Sequence, residues 1–307
     1  MKVLISDGLD KQGIELLKAA GITVDEKVGL PPEELLKIIP EYDAIIVRSA
    51  TKVTKEVIEA GKNLKAIGRA GVGLDNVDQA AAKARNIKVM NTPSATSVTV
   101  AELALGMMLG CARSIPQATQ SLKEGKWEKK AFKGFELFGK TLGLIGIGRI
   151  GTELAKRAKA MGMQVVAYDP FVKTHEIAEL MGLDEVLAKS DFISLHLPKT
   201  EQSKHMLGKD QFAKMKPSAV LVNCARGGVV EENALYEALS TGKLKAAALD
   251  VFETEPVNKT PEATEFYARL FKLPNLIATP HIGAQTGEGQ RRAGIGIAEA
   301  VRDTLKS

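Results

Sequence analysis

The 307-residue sequence predicts two α/β domains built on parallel sheets, one inserted into the other. Short, continuously apolar runs alternate with amphipathic stretches, which is how strands covered by helices on both faces read. The alternation occurs twice, separated by one long helical stretch over residues 97–124. The length also exceeds what a single hydrophobic core usually supports, so two domains are the default.

In the first alternation, residues 3–7 read as a strand and residues 10–20 as an amphipathic helix stopped by Gly21. Residues 22–24 form a second strand. Pro31 and Pro32, followed by Glu33 and Glu34, open the next helix, with proline and acid in its first turn. Residues 43–47 are a buried strand ending in Arg48 and Ser49. A helix over 55–61 and a strand over 64–69 lead to Arg69 and the turn Gly71-Val72-Gly73. A helix near 77–85 then precedes a strand at 87–90 and Asn91-Thr92-Pro93. The helical stretch 97–124, expected to bend at Pro116, links the domains. From Lys140 the second alternation runs through strands at 141–145, 163–169, 191–196, 219–223, 246–250 and 275–279. A last helix over about 288–306 is expected to return to the first domain. The expected partition is residues 1–96 with 286–307, and residues 97–285.

The second alternation opens on Gly146, Gly148 and Gly151, spaced Gly-x-Gly-x-x-Gly between an apolar strand and a helix beginning at Arg149. In that setting Gly146 permits the tight turn, Gly148 lets a pyrophosphate touch the backbone, and Gly151 brings the helix close to the sheet. The helix start offers N–H groups and partial positive charge to phosphate. A second strand ends in Asp169, about 20 residues on, where an adenosine ribose needs an acceptor. Pro170-Phe171 rather than an arginine follows it, and a carboxylate repels a ribose phosphate, so NAD is favoured over NADP, with Lys173 as the nearby cation.

Composition excludes several classes. Hydrophobic residues make up 45% and charged residues 26%, as in globular domains generally. The net charge of +5 comes without a basic block, so no nucleic-acid partner is expected. The apolar stretch 98–112 carries Glu102 and is too short to span a bilayer, and the opening residues read as a strand rather than a leader, so a cytoplasmic location is expected. The two cysteines, Cys111 and Cys224, lack metal-ligand spacing, and no metal is expected.

Ligands of open parallel sheets sit beyond the carboxyl ends of the strands, so strand ends nominate chemistry. Arg226, Glu255 and His281 each follow an apolar strand. Oxidation of a C–OH by a nicotinamide needs a base for the hydroxyl proton, which suits His281, and a cation for a carboxylate, which suits Arg226. Glu255 beside the imidazole would orient it and hold its proton. His196 also ends a strand, whereas His175 and His205 are expected on the surface.

Four blocks, the glycine turn from Gly143 to Gly151, Asn223-Cys224-Ala225-Arg226-Gly227-Gly228, Leu249-Asp250-Val251-Phe252-Glu253-Thr254-Glu255-Pro256 and Pro280-His281-Ile282-Gly283-Ala284, resemble the signatures of the D-isomer-specific 2-hydroxyacid dehydrogenases. The resemblance runs essentially end to end. The segments from Arg48, Gly68 and Asn91 resemble the phosphoglycerate dehydrogenase branch of that family. It implies a Rossmann-type nucleotide domain inserted in a flavodoxin-like substrate domain, with catalysis by Arg226, Glu255 and His281. It also implies NAD contacts at Gly146, Gly148, Arg149, Ile150, Gly151, Asp169, Leu197, Cys224, Ala225, Asp250, Gly283 and Ala284. Substrate contacts would come from Arg48, Ser49, Arg69, Gly71, Val72 and Gly73. Val72 stands where some phosphoglycerate dehydrogenases carry threonine. Ser307 follows soon after the last helix, so the regulatory amino-acid-binding domain of longer relatives is not expected.

The expected activity is NAD-dependent oxidation of D-3-phosphoglycerate, a phosphorylated 2-hydroxy acid, in serine biosynthesis. The alternatives are a glyoxylate or hydroxypyruvate reductase and an NAD-sensing, corepressor-like binding protein; the intact Arg226, Glu255 and His281 speak against the last. The 97–124 helix, Trp127, Phe132, Phe135 and Phe138 suggest an aromatic cluster at a homodimer interface formed through the nucleotide domain.

Overall fold

All strand pairings run parallel, so every strand must be covered on two faces. The computed structural model describes residues 1–307 in two units, residues 1–99 with 284–307 and residues 100–283.

The first unit contains β1 (Lys2–Ile5), β2 (Thr23–Glu26), β3 (Ala44–Val47), β4 (Ala66–Arg69) and β5 (Lys88–Asn91), ordered β2-β1-β3-β4-β5. Helices α1 (Lys11–Ala19), α2 (Pro32–Ile38), α3 (Lys55–Ala60) and α4 (Gln79–Ala84) connect them. This is the flavodoxin-like strand order. The continuous apolar runs have a two-sided cause. Val3, Ile5, Ala44 and Ile46 face one helix layer, whereas Leu4, Ile45 and Val47 face the other. Each such large aliphatic, fully buried, contributes about 1.5–3 kcal/mol.

Next come α5 (Ser97–Arg113) and α6 (Ile115–Lys123), bent by 63°. The break expected at Pro116 lies at Ser114, which takes a left-handed φ of 51°. Proline lacks an N–H and has a helical φ, so Pro116 suits the first turn of α6 rather than a kink within one helix. No single helix is long and apolar enough to cross a membrane; the bent pair passes that test, and Ala101, Ala104, Met108 and Ala112 of α5 are buried in a core.

The second unit holds β6 (Thr141–Ile145), β7 (Gln164–Tyr168), β8 (Glu179–Leu180), β9 (Phe192–Leu195), β10 (Val220–Asn223), β11 (Ala246–Leu249) and β12 (Leu276–Ala278). Its sheet order is β12-β11-β10-β9-β6-β7-β8, which reverses at β6 and gives the Rossmann-type switch point between β6 and β9. Helices α7 (Arg149–Ala160), α8 (Leu183–Lys189), α9 (Lys209–Lys214), α10 (Glu232–Ser240) and α11 (Pro261–Leu270) cover it.

The last helix, α12 (Gly287–Lys306), belongs to the first unit and crosses α1 closely. A Cβ on Gly13 would lie 2.6 Å from the Gly294 carbonyl oxygen, so two glycines set that crossing.

Candidate active site

The carboxyl ends of the second sheet carry the nominated residues. After β6 the chain turns at Gly146 with φ of 91°, a conformation that glycine alone adopts freely. Any Cβ there would also strike the His196 carbonyl oxygen, and one on Gly151 would lie 2.5 Å from the Gly146 oxygen. Gly148 differs: nothing lies within 4 Å of where its Cβ would stand. It is the N-cap of α7, makes no side-chain cap, and leaves the first-turn N–H groups available, with Arg149 exposed and Ile150 half-buried behind them. Asp169 closes the turn. Its Oδ2 accepts the Ile147 N–H at 3.0 Å and its Oδ1 the Phe171 N–H at 2.9 Å. An open backbone cradle at a helix start and an acid beside it fit the pyrophosphate and ribose of NAD.

Around β9 and β10 the lining is apolar. Leu197 packs on the core, and Cys224 and Ala225 are buried. Burial, with Asp250 adding repulsion, pushes the Cys224 thiol well above the usual range, so it is a wall rather than a nucleophile. His196 bonds Ser194 Oγ at 2.9 Å, and burial pushes it down to about 4, which keeps it neutral and unsuited to carrying a proton near neutral pH.

The three catalytic candidates lie on neighbouring strand ends. Arg226 follows β10, its backbone oxygen accepting from Asn223 Nδ2 at 3.1 Å. Glu255 follows β11, and its Oε2 lies 2.7 Å from His281 Nδ1. Burial would raise Glu255, but hydrogen bonds from His281 and the Phe252 N–H, with the charges of His281 and Arg226, hold it below the usual carboxylate range. An ionised Glu255 accepts only, so Nδ1 carries the hydrogen and the neutral ring presents a basic Nε2. The same bond raises His281 above its ordinary 6.5, against desolvation and the Arg226 charge.

His281 itself sits at a left-handed φ of 54°, sparsely populated for a non-glycine residue and found often at functional sites. What over-determines that backbone is Asp250. Buried after β11, it accepts from Thr279 Oγ1 at 2.6 Å and the Ile282 N–H at 2.8 Å through Oδ1, and from the Gly283 N–H at 2.7 Å through Oδ2. This loop-clamping role was not read from the sequence, although an acid directly after a buried strand was a signal.

In the first unit, Arg48 directly follows β3 and Arg69 ends its paired neighbour β4. Buried Asp7 holds the Arg48 loop by accepting from the Arg48 N–H at 2.6 Å and Thr51 Oγ1 at 2.7 Å, another clamp absent from the sequence reading. Ser49 is exposed on that loop. The Arg69 guanidinium lies over Gly71, whose φ of 148° and missing Cβ make room for it. Asn91 Nδ2 holds the Val72 carbonyl at 2.5 Å, fixing the turn before Gly73, and Ala284 opens the return to this unit.

Two expectations need correction. His175, expected on the surface, is half-buried, whereas His205 is exposed as expected. The His175 Nδ1 accepts the Ile177 N–H at 3.2 Å, so its Nε2–H donates to Thr152 Oγ1 at 3.1 Å, and Thr152 in turn bonds the Ile147 carbonyl of the glycine turn. The aromatic residues after α6 also divide: Phe135 turns inward to Phe192, with centroids 5.7 Å apart, whereas Trp127 and Phe138 remain exposed.

A family profile for the D-isomer specific 2-hydroxyacid dehydrogenase NAD-binding domain matches residues 105–283. A hydroxypyruvate reductase of Thermotoga maritima is 54% identical, the alignment covering 98% of this chain and 97% of that protein. A D-3-phosphoglycerate dehydrogenase of Methanocaldococcus jannaschii is 50% identical over 100% of this chain, which spans only 58% of the length of that relative. The crystal structure of a glyoxylate reductase from Paecilomyes thermophila superposes with a TM-score of 0.89 at 30% identity, covering 100% of this chain and 96% of the other. On this agreement of profile, full-length relatives and fold, the chain belongs to the D-isomer specific 2-hydroxyacid dehydrogenases, with NAD as its cofactor.

Proposed function

We propose that the chain oxidises D-3-phosphoglycerate to 3-phosphohydroxypyruvate, a step feeding serine biosynthesis in the cytoplasm. The observation that carries this reading is the pair Arg48 and Arg69 on adjacent strand ends of the first unit, because two guanidinium forks suit a phosphorylated acid. Ser49 and the Gly71-Val72-Gly73 turn are assigned to the same substrate.

Bound NAD supplies a hydride acceptor, held by Gly146, Gly148, Arg149, Ile150 and Gly151 at the phosphates and Asp169 at the ribose. Leu197, Cys224, Ala225, Asp250, Gly283 and Ala284 are assigned to the rest of its surface. Arg226 grips the substrate carboxylate. His281 Nε2 takes the hydroxyl proton, and Glu255 stabilises the imidazolium that results.

A hydroxypyruvate or glyoxylate reductase is the second reading, favoured by the Thermotoga maritima relative, whose length this chain matches almost fully. Following NADH fluorescence across a panel of 2-hydroxy and 2-keto acids separates the two. Highest kcat/KM on D-3-phosphoglycerate, lost selectively in Arg48→Ala, supports the first. Preference for glyoxylate or hydroxypyruvate with Arg48→Ala unaffected sinks it. We further propose a homodimer through the region of α6 and the following loop, with no nucleic-acid or membrane partner.

A further inference from the structure

Glu232, the first residue of α10, is a buried acid that the chemistry above does not use. Its Oε1 accepts the Glu253 N–H at 2.9 Å. Its Oε2 accepts from the Tyr267 hydroxyl of α11 at 2.7 Å, and that hydroxyl oxygen in turn accepts the Thr254 N–H at 3.1 Å. The remaining bond of the turn is the Phe252 N–H to Glu255 Oε1, at 2.9 Å. Three successive N–H groups, those of Phe252, Glu253 and Thr254, therefore each end on a side chain, and the next residue is Glu255. Glu253 closes the clasp from its side, its Oε1 taking the Glu232 N–H at 3.4 Å and pairing with His205 Nε2 at 2.9 Å.

We propose that Glu232 and Tyr267 are positioning residues that lock the 252–255 turn so that Glu255 meets His281 Nδ1. The inference rests on the reading of Glu255 and His281 as the proton-handling pair. A plain packing contact would not need a carboxylate here. Burial first, and the nearby Glu253 and Glu255 charges, push Glu232 up to about 7 despite its hydrogen bonds, so the acid is held at a disadvantage an amide would avoid. The Tyr267 ring is fixed independently, edge-on to Phe252 at 5.4 Å and stacked on Phe271 at 5.6 Å. Removing its hydroxyl thus leaves the packing in place.

The test uses the full chain and whichever of D-3-phosphoglycerate or glyoxylate the parent turns over. Tyr267→Phe and Glu232→Ala are expected to lower kcat on the order of 10-fold or more, with KM and NAD affinity little changed. They are also expected to move the kcat/KM pH midpoint downward, because a loosened Glu255 supports the His281 charge less; Glu232→Gln, which keeps an acceptor, should recover part of both. Glu255→Gln is the control. If it moves the midpoint while folded Tyr267→Phe retains parental kcat and midpoint, the positioning role is overturned and the catalytic pair stands. A fall in kcat with an unmoved midpoint marks a merely structural role and overturns it too. If Glu255→Gln itself leaves the midpoint in place, the underlying pair fails and the proposal with it. Should Glu232→Ala not fold, Tyr267→Phe decides.

Discussion

His281 gains its proton affinity chiefly from the 2.7 Å bond to Glu255, with the charges of Glu255 and Asp250 adding to it, and the sign of the resulting pH dependence follows directly. The raised group loses its proton only above its ordinary 6.5, and oxidation needs the neutral Nε2. The kcat/KM for oxidation should rise with pH through a midpoint above 6.5, and that for reduction should fall through the same midpoint, since there the imidazolium donates. Glu255→Gln should bring both midpoints down; matching profiles for parent and variant would remove Glu255 from the proton-handling pair. His281→Ala should reduce turnover about 10²- to 10⁴-fold, with NAD affinity, read by nucleotide fluorescence quenching, preserved. Near-parental turnover would refute the role. The strand-end placement of Arg226, Glu255, His281 and Asp250 was legible because a polar residue following a continuous apolar strand is conspicuous. The clamping roles of Asp7, Asp250 and Glu232 were not, since in sequence a buried acid with several donors looks like any solvated acid. Their partners, Thr51, Thr279 and Tyr267, are fixed only by the fold.

At the scale of elements, the β6–α7 turn separates two uses of glycine. Gly146 has a left-handed φ and the His196 carbonyl against it, so Gly146→Ala should destabilise the chain by about 1–3 kcal/mol, read as a lowered Tm. Gly148 has an ordinary φ of −69° and open space, so Gly148→Ala should keep the parental Tm and weaken NAD binding, because the methyl group would stand where the phosphates approach. A variant that binds NAD as tightly as the parent would place the cradle elsewhere. Strands with two buried faces were legible as unbroken apolar runs, Ala44–Val47 and Val220–Asn223 among them. The short edge strand Glu179–Leu180 was not, having only two residues and a single neighbour to pair with. Nor was the site of the α5–α6 break: Pro116 marked that a helix boundary was near, but the left-handed residue that makes it is a serine.

For the whole molecule, the open question is what covers the apolar side chains that the second unit leaves in solvent. Trp127 is 83% exposed, Phe138 75%, Leu122 58% and Ile115 52%, all within residues 115–138. Scattered apolar residues on a surface need no explanation, but a tryptophan and a phenylalanine so exposed beside an amphipathic helix match the aromatic enrichment of interface cores, which supports the proposed homodimer. Phe138 is held in place, its ring lying across Gly162, where any Cβ would meet it. A pre-positioned ring loses little entropy on association. The homodimer predicts twice the chain mass by light scattering at micromolar concentration. Leu122→Asp and Trp127→Asp, each placing a charge in the exposed patch assigned to the proposed interface, should yield monomers with parental secondary structure by circular dichroism. A parent that is monomeric at that concentration, or variants that remain dimeric, would move the interface away from α6 and its loop.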